Sequence, residues 1–404
     1  MRYVIVGAGP AGLATGIQVL LETHNTSKVC ECVIVEKDIT KPKPCGGLLT
    51  PKSHKLLQHL GINLDFLTCH NSVNVGYNEQ TFSYSTSQHF YVCQRQHLID
   101  GLSQRFLSLG GIIVKDTIVS ADYSDHKAIG KRDIYGFDFL IIATGNKVLQ
   151  SAIPTSSKSP TKFYPIGVSA EVTLDKCSTN SSNIHIWFFR NLEGYGWCFP
   201  LDNGKANVGF AGIIKKKSKE DFYYVQKQFE QRLGYKIPKY QGCILPMDHY
   251  WNQKDKVFLD GVFEVGEAGK FIDSLTGEGV YFALYTGILT AKYITGCITK
   301  EKYQHGIENV RNLCRGSSFT RKVLFKDGLI ISVLLRIAKH MKKIDAHLTE
   351  KLIFSYQYGY FSAYMSPIFC YGNIDVPFNV QRKLDEASDL LKGRNHNEQT
   401  QKKR

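Results

Sequence analysis

The chain has 404 residues, 43% of them hydrophobic and 21% charged. That is the profile of a soluble globular protein with room for two or three domains and ample core. The formal charge is +14, from 50 Lys and Arg against 36 Asp and Glu. Dense basic runs occur at Lys215–Lys217 and Lys402–Arg404, without any nucleic-acid motif, so no nucleic-acid partner is expected. A solvated basic face is the first expectation, and weak attraction to an anionic membrane surface is the second.

In chain order, residues 3–6 read as a buried strand and Ala11 to Leu21 as a helix that starts inside Gly7-Ala-Gly-Pro-Ala-Gly12. Cys32-Val-Ile-Val-Glu36 is the next strand, so residues 3–36 form a βαβ unit. Leu98, Leu102, Phe106 and Leu109 recur at helical spacing over Gln96 to Leu109, and Gly110-Gly111 stops that helix. Strands are expected at Ile112-Ile-Val114 and at Phe137 to Ala143, with Thr144-Gly145 as the exit turn.

From about 151 to 250 the texture is β-rich, at Gly167 to Thr173, Ile184 to Phe189 and Ala206 to Phe210. An antiparallel sheet inserted into the first domain is expected there. First-domain character returns at Val257 to Gly266, followed by a helix from Gly279 to Ile294. Residues 300–380 read as mostly helical, and the charged tail from Gly393 is expected to fray. The expected division is therefore 1–150 and 255–299 as two parts of one domain, 151–254 as the insert, 300–392 as a helical region and 393–404 as a tail.

The 11 cysteines are odd in number and contain no Cys-x-x-Cys. The chain opens directly on a strand, leaving no room for a signal peptide. Together these read as reduced thiols in a cytosol, with docking at the inner membrane face as a secondary expectation. Gly328 to Leu335 is too short to cross about 30 Å of hydrocarbon. Leu352 to Gly372 carries Pro367 and reads as a buried or interfacial aromatic segment. No metal site is expected.

Gly7-x-Gly9-x-x-Gly12 follows a strand and opens a helix, the context a dinucleotide fingerprint requires. Gly7 permits the tight turn, Gly9 lets backbone approach a pyrophosphate, and Gly12 lets helix and strand pack closely. Pro10 and Ala11 lie between them, and the helix N-terminus offers N–H groups and partial positive charge to phosphates. Glu36, with Lys37 after it, ends the second strand where ribose hydroxyls are read. A second glycine-spaced stretch, Val265 to Val280, lies far downstream, with Ala143-Thr144-Gly145 between. Two such regions point to one extended cofactor held from both ends, namely FAD.

These residues resemble the flavoprotein superfamily that includes p-hydroxybenzoate hydroxylase. Val92 to Asp100 looks like the segment whose arginine, here Arg95, reaches the FAD phosphate–ribityl region. Asp138 to Gly145 resembles the Asp-x-x-x-x-Ala-Thr-Gly strand that closes over cofactor. Gly266 to Gly279 resembles the stretch presenting an acid, here Glu267, to the ribityl chain and a helix N-terminus, at Gly277, Glu278, Gly279 and Val280, to the flavin pyrimidine. The implied fold is α/β, a Rossmann-like FAD-binding domain of the p-hydroxybenzoate hydroxylase (GR2) type, with the β-sheet insert as substrate domain and a helical C-terminal region.

Lys43-Pro-Cys-Gly-Gly47, Gly194-Tyr-Gly-Trp-Cys-Phe-Pro200 and Leu275-Thr-Gly-Glu-Gly-Val280 are similar to motifs of the geranylgeranyl reductase family, over about residues 1–295. The resemblance implies that Tyr195, Trp197, Phe199 and Pro200 line a prenyl-binding cavity and that Cys45, Gly46 and Gly47 lie beside the isoalloxazine. Flat aromatics suit a small hydrophobic substrate, and alternate strand positions share one face; the same stripe could equally be plain core. Cys45 is a candidate proton donor or a packing residue. The family's usual Asp is replaced by Glu267, its Ala-Gly by Gly269-Lys270 and a common proline by Ser274.

The expected function is reduction of a carbon–carbon double bond in an isoprenoid or lipid-like substrate by hydride from flavin N5. NAD(P)H or a reduced electron-transfer protein would be the electron donor. An FAD-dependent monooxygenase hydroxylating an aromatic or other hydrophobic natural product is the alternative, and a non-catalytic FAD-binding protein is a third reading.

Overall fold

The computed structural model describes residues 1–24, 30–38, 40, 43–77, 80–145, 165–179, 183–214, 219–245, 258–259, 261–325, 331–333 and 336. The basic runs at Lys215–Lys217 and Lys402–Arg404, the aromatic segment Leu352–Gly372 and the tail from Gly393 lie outside them.

The chain opens with β1 (Arg2–Val6), α1 (Pro10–Thr23) and β2 (Glu31–Glu36). Next come β3 (Leu48–Leu49), α2 (Pro51–His59), and the long strands β4 (Thr68–Tyr77) and β5 (Gln80–Val92). Then follow α3 (Arg95–Ser108), β6 (Ile112–Lys115), three short strands β7 (Ile118–Asp122), β8 (Lys127–Gly130) and β9 (Ile134–Gly136), and β10 (Phe139–Ile142). The β-rich middle contains β11 (Ile166–Thr173), β12 (Ile184–Phe188), β13 (Leu192–Pro200), β14 (Lys205–Ile214), α4 (Lys219–Leu233) and β15 (Gln241–Ile244). The hairpin β16 (Phe258–Leu259) and β17 (Val262–Glu264) precedes α5 (Val280–Ile294) and α6 (Lys300–Leu324).

One sheet has six strands in the order β16-β17-β10-β1-β2-β6. All of its pairings are parallel except β16 with β17. Its strands bury both faces, which explains their unbroken apolar runs. Tyr3, Ile5, Cys32, Ile34, Ile141 and Phe263 pack with α1, α3 and α5 on one side. The intervening Val4, Val6, Val33, Val35, Leu140, Ile142 and Val262 pack against β7, β8 and β9 on the other. The strand period of two thus sorts neighbouring residues into two cores.

The second sheet has eight strands in the order β15-β11-β14-β13-β12-β4-β5-β3. The strands from 151–254 pair antiparallel with one another, as expected, but they are not the whole sheet. Strands from residues 48–92 complete it, and β12 runs parallel to β4. The cause is the hairpin β4–β5, whose Ser, Thr and Gln content conceals its alternation in the sequence. One face of this sheet is sealed by α4, with Trp187, Phe189, Cys198, Val208 and Phe210 packed on Val225, Phe229 and Leu233. The opposite face carries the candidate site.

Helices α1 and α5 approach until main chain meets main chain. A Cβ added at Gly287 would stand 2.6 Å from the Ala11 carbonyl oxygen and 2.8 Å from Thr15 Oγ1. A Gly287→Val chain is expected to lose about 1–3 kcal/mol of stability through overpacking, read as a lower urea midpoint. An unchanged midpoint would show that the two helices separate without cost.

Candidate functional site

The glycine turn after β1 is shaped by contacts that exclude side chains. Gly7 has φ +110, and a Cβ there would meet the Ala143 carbonyl oxygen at 2.5 Å; one on Gly12 would meet Gly7 O at 2.0 Å. The Gly7 N–H donates to Val35 O at 2.9 Å, tying the turn to β2. Gly9 differs, because nothing lies within 4 Å of where its Cβ would stand. It is also the N-cap of α1, with Pro10 in the first turn and no side chain capping the helix. Main chain is therefore open to a ligand at the positive end of a buried helix.

Glu36 closes the other side of this turn. One carboxylate oxygen accepts the Ala8 N–H at 2.8 Å and the other accepts the Asp38 N–H at 3.1 Å. Its remaining lone pairs can still accept from hydroxyls. Lys37 follows as an exposed residue. Ala143, Thr144 and Gly145 leave β10 against the turn, with the Ala143 N–H donating to Val6 O at 2.9 Å. Arg95 is the first residue of α3, and its Nε is buried with no hydrogen-bond partner among the described residues. An orphaned, buried guanidinium nitrogen fits an anionic ligand such as a dinucleotide; bound FAD would satisfy it.

Gly266 joins the far stretch to the same turn. It has φ +59, a Cβ on it would meet Ala11 Cβ at 2.9 Å, and its N–H donates to Thr286 Oγ1 at 3.0 Å. The following Glu267 is held by an ion pair. Lys43 Nζ donates to both of its carboxylate oxygens, at 2.9 and 2.6 Å. That half-buried pair links the strand-exit segment carrying Cys45 to the 266–279 stretch. The other two departures have structural counterparts. Lys270 sits at φ +62, the left-handed region that suits the glycine expected there. Ser274 supplies an N–H, which a proline lacks, to Ser317 Oγ on α6 at 3.0 Å.

Gly46 and Gly47 form a turn laid directly on aromatic rings. A Cβ on Gly46 would stand 3.2 Å from Phe199 and 3.3 Å from Trp197, and one on Gly47, at φ +78, would meet Cys93 O at 2.1 Å. Asn207 holds the turn from below, donating to the Cys45 carbonyl at 3.0 Å and accepting from Trp197 Nε1 at 2.8 Å. The Cys45 sulfur accepts the Gly47 N–H at 3.4 Å. Two other cysteines surround this turn: burial pushes the Cys93 thiol up to about 12 and raises that of Cys243.

Tyr195, Trp197 and Phe199 share one face of β13, while Pro200 points to the other face and its carbonyl is bonded by His70. Pro200 is thus off the wall on which the sequence placed it. Trp197 and Phe199 are stacked, 5.8 Å between centroids, and lie buried under the Gly46 turn. Tyr195 is only partly buried, and so are its same-face neighbours Val75, Ile186 and Ala211. These four make an apolar strip between Trp197 and a second cluster from Leu275 and the end of α6, Leu324 and Phe325.

The loop Asp273–Gly279 borders that strip. Tyr195 OH donates to the Thr276 carbonyl, and burial raises the phenol further above its ordinary value. Asp273 accepts the N–H groups of Leu275 and Thr276 at 2.8 Å each. Burial pushes its carboxyl up, and those N–H bonds pull it back. Glu278 accepts Thr50 Oγ1 at 2.6 Å, and burial raises its carboxyl to about 7. The Asp273 charge raises it further, while Thr50, Ser53 and the Lys52 charge act the other way. Gly277, at φ +70, has nothing within 4 Å of a Cβ, so this rim of the loop is open; Gly279 caps α5 without a side chain, with Val280 as its first helical residue. Sequence reasoning missed Lys43, Thr50, Asp273 and Asn207. Only Lys43 carried a signal, its place beside the Cys-Gly-Gly motif.

No family model matches the chain. Menaquinone reductase of Mycolicibacterium smegmatis is 23% identical over 380 residues, covering 83% of this chain and 90% of that one. Digeranylgeranylglycerophospholipid reductase 2 of Methanothermobacter thermautotrophicus is 30% identical over 210 residues, 50% of each chain. The solved geranylgeranyl bacteriochlorophyll reductase-like protein of Thermoplasma acidophilum shares the fold, with TM-score 0.66 at 16% identity over 96% of this chain and 98% of that one. Flavin-dependent halogenases share the fold too. The chain is an FAD-dependent oxidoreductase. Within that class the chain is similar to proteins named geranylgeranyl reductases.

Two substitutions test this geometry. Arg95→Met is expected to weaken FAD binding by roughly tenfold or more, as for a lost bond to a charged group, in a flavin titration of the apoprotein. Its apoprotein melting temperature should hardly move, because Nε has no partner there to lose. Lys270→Gly is expected to gain about 1 kcal/mol by relieving the left-handed backbone, measured as a higher denaturant midpoint.

Proposed function

We propose that the chain reduces a carbon–carbon double bond in an isoprenoid or similarly lipid-like substrate. The observation that carries this reading is the half-buried apolar strip Val75–Ile186–Tyr195–Ala211, set in an otherwise buried sheet face beside the Cys45–Gly47 turn. A flat apolar surface next to a glycine turn suits a flexible hydrocarbon chain, which needs contact area and dryness more than hydrogen bonds. Relatives named for reducing menaquinone and geranylgeranyl chains support the same substrate class.

Bound FAD supplies a hydride from N5. The protein's part is positioning and exclusion of water. Gly7, Gly9, Gly12 and the N-terminus of α1 would hold the pyrophosphate, with Glu36 on ribose hydroxyls and Arg95 on the phosphate–ribityl region. Gly266, Glu267 and the N-terminus of α5 at Gly279 would hold the ribityl chain and pyrimidine edge, with Lys43 setting the Glu267 carboxylate. Trp197 and Phe199 support the Gly46–Gly47 turn from beneath, so that main chain rather than side chain would face a bound flavin. Reducing equivalents come from NAD(P)H or a small electron-transfer protein in a cytoplasmic setting, with the lipid substrate met at a membrane surface. No helix among the described residues is long and apolar enough to cross a membrane.

Purified holoprotein, reduced without oxygen and mixed with a polyprenyl lipid, is expected to yield product two mass units heavier per turnover as the flavin reoxidises, by mass spectrometry and absorbance. Turnover that demands oxygen and adds an oxygen atom would establish the monooxygenase instead. Ile186→Asp is expected to raise KM for the alkene at least about tenfold, since a charge is placed on apolar contact surface, while FAD content stays at one per chain.

A further inference from the structure

Any such reduction needs a proton as well as a hydride, and the sequence offered Cys45 as its source. The structure offers another group, on the loop that receives the Tyr195 hydroxyl at the end of the apolar strip. Glu278 projects from the open Gly277–Gly279 loop and meets the start of α2, where Thr50 Oγ1 donates to its Oε1 at 2.6 Å. Thr50 in turn contacts Ser53 Oγ at 3.2 Å, giving a short file of hydroxyls behind the carboxyl. Across the loop Tyr195 OH is fixed on the Thr276 carbonyl, so the apolar strip ends beside this acid. We propose that Glu278 is the proton donor of the reaction, delivering its carboxyl proton to the alkene carbon next to the one that receives the hydride.

Asp273 determines which acid holds the proton. Its N–H donates to the Glu278 carbonyl at 3.0 Å, so the two acids sit in one tight loop. Two desolvated carboxylates this close do not both ionise readily. Asp273 has two backbone N–H donors fixed on it and keeps the negative charge; Glu278 has hydroxyls and takes the proton. The groups facing Glu278 are Lys52 on α2, Asp273 on its own loop and Tyr195 on β13. Burial raises its carboxyl to about 7, so it keeps a proton to higher pH than an ordinary carboxyl, as a general acid needs. In the step the Glu278 O–H bond breaks as the new C–H bond forms. With the hydride this saturates the double bond, and the carboxylate left behind takes up a proton from solvent before the next turnover. Cys45 is less suited, since its sulfur is turned back onto the Gly47 N–H.

The inference rests on the reductase reading, and the test separates the two. Wild type, Glu278→Gln and Thr50→Ala are compared in single-turnover oxidation of the prereduced holoprotein by a polyprenyl lipid, over pH 5 to 9, alongside FAD content and melting temperature. Wild-type turnover is expected to fall as pH rises through about 7. Glu278→Gln should keep its FAD yet lose about a hundredfold or more in rate, with a flat profile. Thr50→Ala removes a bond that favours the carboxylate, so its falling limb moves to higher pH.

Melting temperature reads the same group without turnover. Folding raises the Glu278 value, so its contribution to stability is complete below its ordinary range and is lost as pH rises through about 7. Glu278→Gln should therefore gain on wild type between pH 5 and pH 8. A Gln variant with wild-type rate and pH profile, or a Thr50→Ala limb that stays in place, overturns the proton-donor role and leaves the reductase reading standing. A wild type that reduces no alkene overturns both.

Discussion

Main chain packed against main chain, with no room for a Cβ, is the constraint on which the site depends. Gly7 against Ala143, Gly12 against Gly7 and Gly287 against Ala11 are three such contacts, and Gly266 lies as tightly on the Ala11 side chain, all within reach of one helix start. Together they bring the N-terminus of α1, the exit of β10 and the stretch leading to α5 to one place, although more than 250 residues separate the first from the last. Helix α1 is buried almost all round because it lies between the sheet and α5. A dinucleotide laid across that junction would meet backbone donors from two chain segments at fixed spacing. That preorganisation requires glycine's missing side chain more than any particular side chain.

The second sheet carries the other half of the site by a different device. Its two faces do unlike work: α4 seals one, and the other is left to the Gly46 turn and the 273–279 loop. Trp197 spends its polar edge on Asn207, which also holds the Cys45 carbonyl, so one amide locks ring and turn together. Removing Asn207 would leave an indole N–H and a carbonyl unpartnered at once. The aromatic stripe is therefore core and, in the proposed reading, also site. Trp197 and Phe199 are the floor of the turn, and Tyr195 is where the face begins to open.

Much of this was legible because the relevant signals are local. The alternating cores on either side of β1 follow from an apolar run with period two, and the turns from glycine spacing. The hairpin β4–β5 was not legible, since a strand of Ser, Thr and Gln is recognised only by what it pairs with, and its partner β12 lies over a hundred residues on. The interactions that adjust the chemistry were hidden for the same reason. Lys43 with Glu267, Thr50 with Glu278 and Ser274 with Ser317 join positions whose proximity no spacing reveals. The three departures from the family pattern looked independent in sequence. Each has a counterpart in the fold: an ion pair, a left-handed residue and a hydrogen bond.

An anionic cofactor makes carboxylates costly neighbours, and four lie around this site. Glu36 is quieted by two backbone N–H groups, Glu267 by both of its bonds to Lys43, and Asp273 by the two N–H groups of its own loop. These are fixed compensations, made by atoms that stay put through a catalytic cycle. Glu278 differs in kind. Thr50 orients it, Lys52 acts on it through charge, and burial beside Asp273 leaves a bound proton as the remaining way to neutral form. A carboxyl neutralised by a proton can give that proton up when the charge nearby changes, which the other three cannot do. The electrostatics that would let an acid sit beside the cofactor are thus the same that would equip it for the proposed role.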